Sequence, residues 1–293
     1  MMNISGSIPA LITPFNKGEI DEAAFQSLVE RQIEQGSTAI VPAGTTGESA
    51  TLTHAEHRRV IELAVEAANG RAPVIAGAGS NATAEAIELA AFAEKAGADA
   101  LLTVSGYYNK PTQAGLVAHF TAVHNATGLP IILYNVPGRT VAGLSVDSLA
   151  TLSTLERVIG VKDATGDLAR VALQRLACGV DFVQLSGEDM TAVGFNAMGG
   201  HGCIGVTANI APDLCAQMQA ASLAGDLKTA VALQDRLAPL HDVLFAETSP
   251  GPVKFAMAVL GLCREDVRLP LVPPSAATKA RIEKVLMDAG LSA

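Results

Sequence analysis

The sequence contains no tryptophan and only three tyrosines, and charged residues make up only 17% of it. Hydrophobic residues account for 49% of the 293 positions, so a large core is available and disorder is not expected. The net charge of −9 argues against nucleic acid as a main partner. A small anionic substrate is not excluded, because one arginine can outweigh a diffuse acidic surface at a local site.

The four cysteines are scattered and form no CxxC pair; they are Cys178, Cys203, Cys215 and Cys263. This distribution is typical of free thiols in a reducing compartment rather than of a disulfide framework or a zinc site. The amino terminus lacks a basic segment followed by an apolar stretch, so we expect no signal peptide. No apolar run reaches the roughly 18 residues of a membrane span. We therefore expect a soluble, cytoplasmic protein that does not bind a membrane.

Short β-type runs recur at intervals of about 20 to 35 residues, with helical patterns between them. Eight runs of this kind are present: Ile8–Pro14, Ala39–Gly44, Pro73–Gly79, Asp99–Ser105, Pro130–Val136, Val158–Ala164, Asp181–Gly187 and Gly202–Thr207. Runs that are apolar on both faces predict a parallel sheet covered by helices. Eight β-α units predict the α/β class and a closed (β/α)8 TIM barrel, and the absence of GxGxxG after the first strand disfavours a dinucleotide fold.

The helical patterns carry the expected end signals. The first three helices are predicted over Asp21–Gln35, His54–Asn69 and Thr83–Ala96, with a capping box at Thr53–Glu56 and glycines after each helix. The repeat ends near residue 225, so we predict a catalytic barrel over 1–225 and a C-terminal helical extension over 226–293. Helices in the extension are predicted over Leu227–Phe245, Gly251–Leu260 and Ser275–Ala289. No glycine-serine linker separates the two parts, so we expect the extension to pack on the barrel.

Lys162 is unusual because it lies within the apolar sixth strand. Desolvation of its ammonium group is costly and favours the neutral amine, which is a nucleophile that can form a Schiff base with a carbonyl. A lysine that reaches past the sheet to solvent or to a structural carboxylate is the alternative. On the neighbouring strand, period-two alternation turns Ile132, Tyr134 and Val136 inward, which would bring the Tyr134 phenol close to the Lys162 amine.

Other polar residues follow the strands at the carboxyl end of the barrel, where such barrels carry their chemistry. All three tyrosines, Tyr107, Tyr108 and Tyr134, fall there. The run Gly44-Thr45-Thr46-Gly47 is either a tight turn or a cradle for a small carboxylate, because flanking glycines free backbone amides and the threonines add donors. Arg139 follows a Pro-Gly turn and is either solvated or a fork for a second carboxylate.

Three motifs together resemble the dihydrodipicolinate synthase family, within the superfamily of pyruvate-dependent class I aldolases. They are Gly44-Thr45-Thr46-Gly47-Glu48, Tyr134-Asn135-Val136-Pro137-Gly138-Arg139-Thr140 and Val161-Lys162-Asp163-Ala164-Thr165-Gly166. The resemblance extends from Gly6 to about Leu260. It implies that Lys162 forms an imine with pyruvate, whose enamine attacks L-aspartate 4-semialdehyde in lysine and diaminopimelate biosynthesis. This chemistry implies neither a cofactor nor a metal.

The resemblance also implies roles for individual residues. Thr46 would hold the pyruvate carboxylate, and Ile204 and Gly187 would border the same pocket. Tyr134, Thr45 and Tyr108 would form a proton relay, with Tyr108 supplied by a partner subunit. Arg139 would bind the semialdehyde carboxylate. A site completed by a partner implies an obligatory dimer, and the family is commonly a homotetramer built as a dimer of dimers. The departures are Asp163, where glutamate is frequent, and Glu188, where aspartate is frequent.

A further set matches the feedback site of lysine-sensitive members of the family. Its residues are Ser49, Ala50, His54, His57, Gly79, Asn81, Glu85 and Tyr107. Glu85 can pair with an ammonium group, while Asn81 and the Tyr107 hydroxyl can hold a carboxylate. L-Lysine is therefore the expected allosteric effector, although a solvated surface or a metal held by His54, His57 and Glu85 is also compatible with these residues.

The nearest alternative functions belong to other pyruvate-dependent class I aldolases. N-Acetylneuraminate lyase, 2-keto-3-deoxy-sugar-acid aldolases and 4-hydroxy-2-oxoglutarate aldolase share the lysine and tyrosine chemistry but use another aldehyde. Thr45, Thr46, Tyr108 and Arg139 favour the synthase. A binding protein built on an inactive barrel would not need the imine-forming amine of Lys162, and the six histidines offer no convincing ligand triad for a metal-dependent aldolase.

Overall fold

The computed structural model describes residues 4–104 and 106–291. Within them the chain forms, in order, β1 (Gly6–Pro9), β2 (Phe15–Asn16), β3 (Glu19–Ile20), α1 (Glu22–Glu34), α2 (His54–Ala68), β4 (Ile75–Gly77), α3 (Thr83–Ala96), β5 (Ala100–Val104), α4 (Gln113–Asn125), β6 (Ile131–Asn135), α5 (Pro137–Thr140), α6 (Val146–Ser153), β7 (Val158–Asp163), α7 (Ala169–Cys178), β8 (Val183–Ser186), α8 (Ala192–Ala197), β9 (Gly202–Gly205), α9 (Pro212–Leu223), α10 (Leu227–Val243), α11 (Gly251–Val259) and α12 (Ala276–Asp288). Two short 3-10 turns, Ser49–Thr51 and Thr207–Asn209, complete the elements.

Seven of these strands form one curled parallel sheet in the order β1-β9-β8-β7-β6-β5-β4. The gap between β1 and β4 is closed by the segment around Ile40 and Val41, which makes isolated parallel bridges to Ala10 and Val74. The closed (β/α)8 barrel predicted from the sequence is therefore confirmed.

The second predicted strand, Ala39–Gly44, differs from the prediction because it makes only these bridges and no regular ladder. Pro42 has no backbone N–H to donate, and Ala43 adopts a left-handed conformation with φ 52°. Gly77 permits this local bulge, since a methyl group there would lie 2.7 Å from the Ala43 carbonyl carbon. The chain is thereby turned toward the loop that follows Gly44.

The other predicted strands are present but mostly shorter, and the first is shifted toward the amino terminus. Ser105, the last residue of the predicted fourth strand, lies outside the described residues, as do 1–3 and 292–293. The hairpin of β2 and β3 was not predicted. Its two-residue turn places Lys17 and Gly18 at φ 54° and 89°, the conformation that matches the twist of a hairpin.

The helix ends follow the predicted signals. The Asp21 side chain accepts from the Ala24 amide at 3.1 Å and begins α1, and a capping box between Thr53 and Glu56 begins α2. The three predicted helices of the extension are present as α10, α11 and α12, each shorter by up to two residues at one end or both. All four cysteines carry free thiols, as predicted.

The extension shares a hydrophobic core with the barrel. Ile12, Leu28 and Cys203 of the barrel lie in one buried cluster with Leu237 of α10 and Val253 of α11. The expected packing of extension on barrel is thus observed, while the division at residue 225 stays a prediction. Among the described residues, no helix combines the length and the apolar character needed to cross a membrane.

Candidate active site and the adjoining pocket

Lys162 and Tyr134 meet inside the barrel. They are register partners on the parallel strands β7 and β6, so both side chains point to the same face of the sheet. Lys162 is only 6% exposed, and its Nζ lies 4.3 Å from the centroid of the Tyr134 ring. The alternation that predicted this proximity is therefore correct, and the lysine does not extend past the sheet to bulk solvent.

A cavity of about 230 Å³ opens above the two side chains. It contains every residue predicted for the catalytic and substrate-binding roles except Tyr108: Thr45, Thr46, Tyr134, Arg139, Lys162, Gly187 and Ile204. Phe245 and Ser249 from the extension also line it, and sequence reasoning missed both. No motif identifies them, because they belong to the connection between α10 and α11 and carry no periodic signal.

Gly187 makes room for the lysine. A methyl group at this position would lie 2.6 Å from the Ala164 Cβ and 3.1 Å from the Lys162 Cε. The Lys162 side chain therefore passes directly over the backbone at the end of β8, and any larger residue would displace it.

Lys162 and Gly187 are each followed by a residue with a carboxylate side chain. Asp163 faces the helix layer, where its Oδ2 accepts from Arg170 Nε at 2.9 Å and from Gln174 Nε2 at 2.6 Å. This contact anchors the carboxyl end of β7. Glu188 lines the catalytic cavity, and burial raises the pKa of its carboxyl group. The aspartate thus supports the strand, while the glutamate lines the cavity with its Oε1 accepting from the Met190 amide at 3.2 Å.

The threonine pair lies on a compact turn. The amides of Gly47 and Glu48 donate to the carbonyls of Gly44 and Thr45, each at 3.1 Å. The Thr13 hydroxyl donates to the Gly47 carbonyl at 2.8 Å and ties the turn to the barrel. Thr46 is buried and faces the catalytic cavity. The turn therefore presents hydroxyl groups next to Lys162, which is suitable for a small carboxylate.

A second cavity of about 320 Å³ adjoins the first. Seven of the eight residues predicted to contact lysine line it: Ser49, Ala50, His54, His57, Gly79, Glu85 and Tyr107. Asn81 is not among the lining residues; its backbone carbonyl accepts from Asn109 Nδ2 at 3.0 Å. Thr45, Val136 and Arg139 line both cavities and form a wall between them.

The second cavity contains a negative group that is already oriented. Glu85 accepts a hydrogen bond from the Ser80 hydroxyl and lies 3.3 Å from His54 Nε2. His57 is buried, and its desolvation, with a further contribution from the nearby His54, lowers its pKa to about 4. Among residues 4–104 and 106–291 its buried Nδ1 makes no hydrogen bond of normal geometry, and the Gly77 backbone only partly opposes the lowering of the pKa. A neutral imidazole and an anchored carboxylate suit a ligand that carries an ammonium group.

Tyr108 lies outside both cavities of its own chain. Its side chain is 90% exposed, and its backbone is left-handed with φ 69°. A left-handed conformation is uncommon for a bulky residue and has to be held by the surrounding structure. The phenol is thus held away from Lys162 of the same subunit, which leaves its predicted role dependent on a partner.

Within residues 4–104 and 106–291, no group of three or more histidine, cysteine, aspartate or glutamate side chains is arranged to hold a metal ion. The fold and the buried lysine at the carboxyl face together define the class of protein: a (β/α)8 barrel of the aldolase type. Comparison with known proteins identifies the family within that class. The chain belongs to the dihydrodipicolinate synthetase family, whose model matches residues 3–289.

Individual relatives agree with this assignment. The chain is 59% identical over 286 residues to 4-hydroxy-tetrahydrodipicolinate synthase of Parvibaculum lavamentivorans, with 98% of each sequence covered. It is 45% identical to the crystal structure of the chloride-inhibited dihydrodipicolinate synthase from Acinetobacter baumannii complexed with pyruvate, with a TM-score of 0.96 over 98% of this chain and 99% of that one. It is 37% identical to the lysine-bound enzyme from Cyanidioschyzon merolae, with a TM-score of 0.95 over 98% of both chains. The resemblance predicted from the three motifs is confirmed.

Proposed function

We propose that this chain is a 4-hydroxy-tetrahydrodipicolinate synthase, which condenses pyruvate with L-aspartate 4-semialdehyde. The observation that carries the proposal is the buried Lys162 amine beside Tyr134 in a cavity that also presents two threonine hydroxyls and an arginine. The names of relatives at 55–60% identity support the same substrate pair over the sugar-acid aldolases.

The reaction begins at the Lys162 amine. The nitrogen attacks the keto carbon of pyruvate, the carbinolamine oxygen leaves as water, and an imine remains. Loss of a proton from the pyruvate methyl group gives an enamine, whose carbon attacks the aldehyde carbon of the semialdehyde. Tyr134 and Thr45, completed by Tyr108 of a partner, would move the protons that these steps require.

Two groups orient the substrates. Thr46 is buried beside Lys162 and would hold the pyruvate carboxylate, so that the keto carbon faces the amine. Arg139 lies at the rim and would bind the carboxylate of the semialdehyde through its planar fork. The backbone around Gly187 and Ile204 forms the remaining wall.

L-Lysine is the proposed effector of the second cavity. The Glu85 carboxylate would pair with an ammonium group, and Tyr107 would donate its hydroxyl to the lysine carboxylate. Because Thr45 and Arg139 line both cavities, a bound effector would restrict residues that the reaction uses. Asn81 would have to rotate toward the cavity to take its predicted part.

The active unit is proposed to be a dimer, and the assembly a dimer of dimers. The 90% exposure of Tyr108 supports an active site completed across a subunit interface. Leu173 and Leu176 of α7 and the following Val180 form an exposed apolar surface. This surface supports a further contact, between dimers. The four free thiols support a cytoplasmic location.

The decisive experiment combines turnover with covalent trapping. Activity is measured with pyruvate and L-aspartate 4-semialdehyde, with and without L-lysine, and compared with sugar-acid substrates. In parallel, borohydride is added with pyruvate, and the modified peptide is mapped by mass spectrometry. The proposal expects an adduct at Lys162 and turnover with the semialdehyde; lack of an adduct or a preference for a sugar acid would refute it.

A further inference from the structure

Glu48 follows the threonine pair and has an unusual environment. Its backbone is left-handed with φ 56°, and its side chain is only 1% exposed. Both carboxylate oxygens are occupied: Oε1 accepts from Lys254 Nζ at 2.5 Å, and Oε2 accepts from the Arg268 backbone amide at 2.9 Å. A carboxylate in this setting needs such partners, because an isolated buried charge is strongly unfavourable.

Both partners come from the extension, more than 200 residues further along the chain. Lys254 lies on α11 and is fully buried; its ammonium group also donates to the Asp266 carbonyl at 2.7 Å and lies 4.0 Å from the centroid of the Phe15 ring. The ammonium group is therefore held from three sides, and its position is fixed relative to the barrel.

Arg268 holds the far end of the same segment. Its Nη1 donates to the Thr51 carbonyl at 3.1 Å and to Glu56 at 2.8 Å, and its Nη2 donates to the other oxygen of Glu56 at 2.5 Å. Glu56 in turn accepts from the Thr53 amide at 2.8 Å at the start of α2. The extension thus forms hydrogen bonds with the Gly44–Thr53 segment at its centre, through Glu48, and near its carboxyl end, through Thr51.

We propose that Glu48, Lys254 and Arg268, here called the loop clamp, are positioning residues for both cavities. The proposal rests on the proposed function. The segment that the clamp holds supplies Thr45 and Thr46 to the catalytic cavity and Ser49 and Ala50 to the effector cavity. Glu48 lies between these two pairs, so a shift of its side chain moves both sets of contacts together.

The chemistry of the clamp favours positioning over simple stabilisation. A buried ion pair contributes little net stability compared with apolar residues of the same size, because desolvation of both charges offsets their attraction. It does, however, hold its partners in one geometry. A well-packed apolar pair would stabilise the fold as well but would not fix the left-handed Glu48 backbone against α11.

The test compares Lys254→Met with a matched control, Lys279→Met. Lys279 lies in the same extension. Its Nζ is 2.5 Å from Glu265 Oε2 and 4.8 Å from the centroid of the Phe255 ring, so its partners lie outside the Gly44–Thr53 segment. We expect Lys254→Met to raise the KM for pyruvate and the lysine concentration for half inhibition by about ten- to a hundred-fold, with a smaller change in kcat. Lys279→Met should change neither quantity.

A double variant separates positioning from stability. Glu48→Gln/Lys254→Met removes both charges, so its melting temperature should recover toward that of the wild type, while the KM for pyruvate stays raised. If the single variant fails to fold, the double variant still allows the KM for pyruvate and the lysine inhibition to be measured. A wild-type KM and wild-type lysine inhibition in the double variant would overturn the proposal and leave the clamp with a purely structural role.

Hydrogen exchange provides a measurement that does not depend on the reaction. Amides of residues 44–53 should exchange faster in Lys254→Met, and in the double variant, than in Lys279→Met. If the exchange of these amides is unchanged, the loop clamp does not position the segment. This conclusion holds whichever substrate the enzyme uses. Conversely, faster exchange in a protein without an adduct at Lys162 would refute the proposed function and retain the clamp.

Discussion

The Nζ of Lys162 lies 4.3 Å from the centroid of the Tyr134 ring, and the two residues are opposite each other in the register of β7 and β6. This relationship is set by the backbone of two neighbouring strands rather than by a flexible loop. The amine and the phenol are therefore held together before any substrate arrives, which is the preorganisation that proton transfer at a carbinolamine requires.

Tyr134→Phe removes the phenol and keeps the ring against the lysine. We expect kcat to fall about 10²- to 10⁴-fold, the usual contribution of a positioned acid or base. Borohydride trapping of pyruvate should be slower but still occur at Lys162. A melting temperature equal to that of the wild type is the control, and a kcat within threefold of the wild type would contradict the assigned role.

Gly187→Ala tests the space that Lys162 occupies. The added methyl group would meet Ala164 at 2.6 Å and the Lys162 Cε at 3.1 Å, so the lysine has to move. We expect a loss of adduct formation and a destabilisation of about 1–3 kcal/mol. Gly138→Ala is the matched control, since nothing lies within 4 Å of a methyl group at that position. Normal trapping in Gly187→Ala would show that the lysine can reach pyruvate by another path.

Arg139 is predicted to discriminate between the two substrates. Arg139→Ala should raise the KM for L-aspartate 4-semialdehyde by about ten- to a hundred-fold, the value of one charge-assisted contact, and leave borohydride trapping of pyruvate intact. Arg139→Lys keeps the charge but loses the fork and should recover only part of the affinity. Steady-state kinetics with each substrate varied in turn makes the comparison. A larger effect on pyruvate than on the semialdehyde would argue for a different role.

The exposure of Tyr108 leads to a complementation test. Lys162→Ala and Tyr108→Phe chains, each of low activity alone, are unfolded, mixed and refolded together. If Tyr108 acts in the partner's cavity, mixed dimers contain one complete site, and about a quarter of the wild-type activity should return for random pairing. Activity equal to the mean of the two parents would show instead that the tyrosine acts within its own chain or not at all.

Stability should depend on pH through His57. Burial lowers its pKa from 6.5 to about 4 in the folded chain, so between these values the unfolded chain binds a proton that the folded chain does not. The contribution is complete above pH 6.5 and is lost as pH falls toward 4, by roughly 3 kcal/mol. Urea unfolding gives the free energy of unfolding of wild type and of His57→Gln at pH 6.5 and at pH 4. The loss of stability between these two pH values should be smaller in the variant. An equal loss of unfolding free energy in both proteins as the pH falls would contradict the prediction.

Much of the fold could be predicted because its signals are local and repeated. Eight apolar runs with capped helices between them specify the barrel, and the alternation around Tyr134 and Lys162 specifies their meeting. The irregular second strand was not predicted as such, since its geometry depends on the left-handed Ala43 packing against Gly77. A backbone conformation that requires a distant glycine leaves no trace in the local pattern.

The contributions of the extension to the site were missed for a similar reason. Phe245 and Ser249 reach the cavity, and Lys254 reaches Glu48 across 206 residues of sequence, only because the extension folds back onto the barrel. A helical pattern predicts that these residues lie on or near helices, but it does not predict which part of the barrel they meet. Glu48 belongs to the Gly44–Glu48 motif, but its need for a cation follows from its burial, which the local sequence does not show.

The wall between the two cavities has a consequence for how such an enzyme changes. Thr45, Val136 and Arg139 present one side to the catalytic cavity and the other to the second cavity, which we propose binds L-lysine. Under the proposed function, a substitution there that adapts the enzyme to a new aldehyde is also expected to alter its inhibition by L-lysine. If the second cavity binds L-lysine as proposed, catalytic specificity and feedback sensitivity are coupled at these three positions, and substitutions elsewhere are needed to separate them.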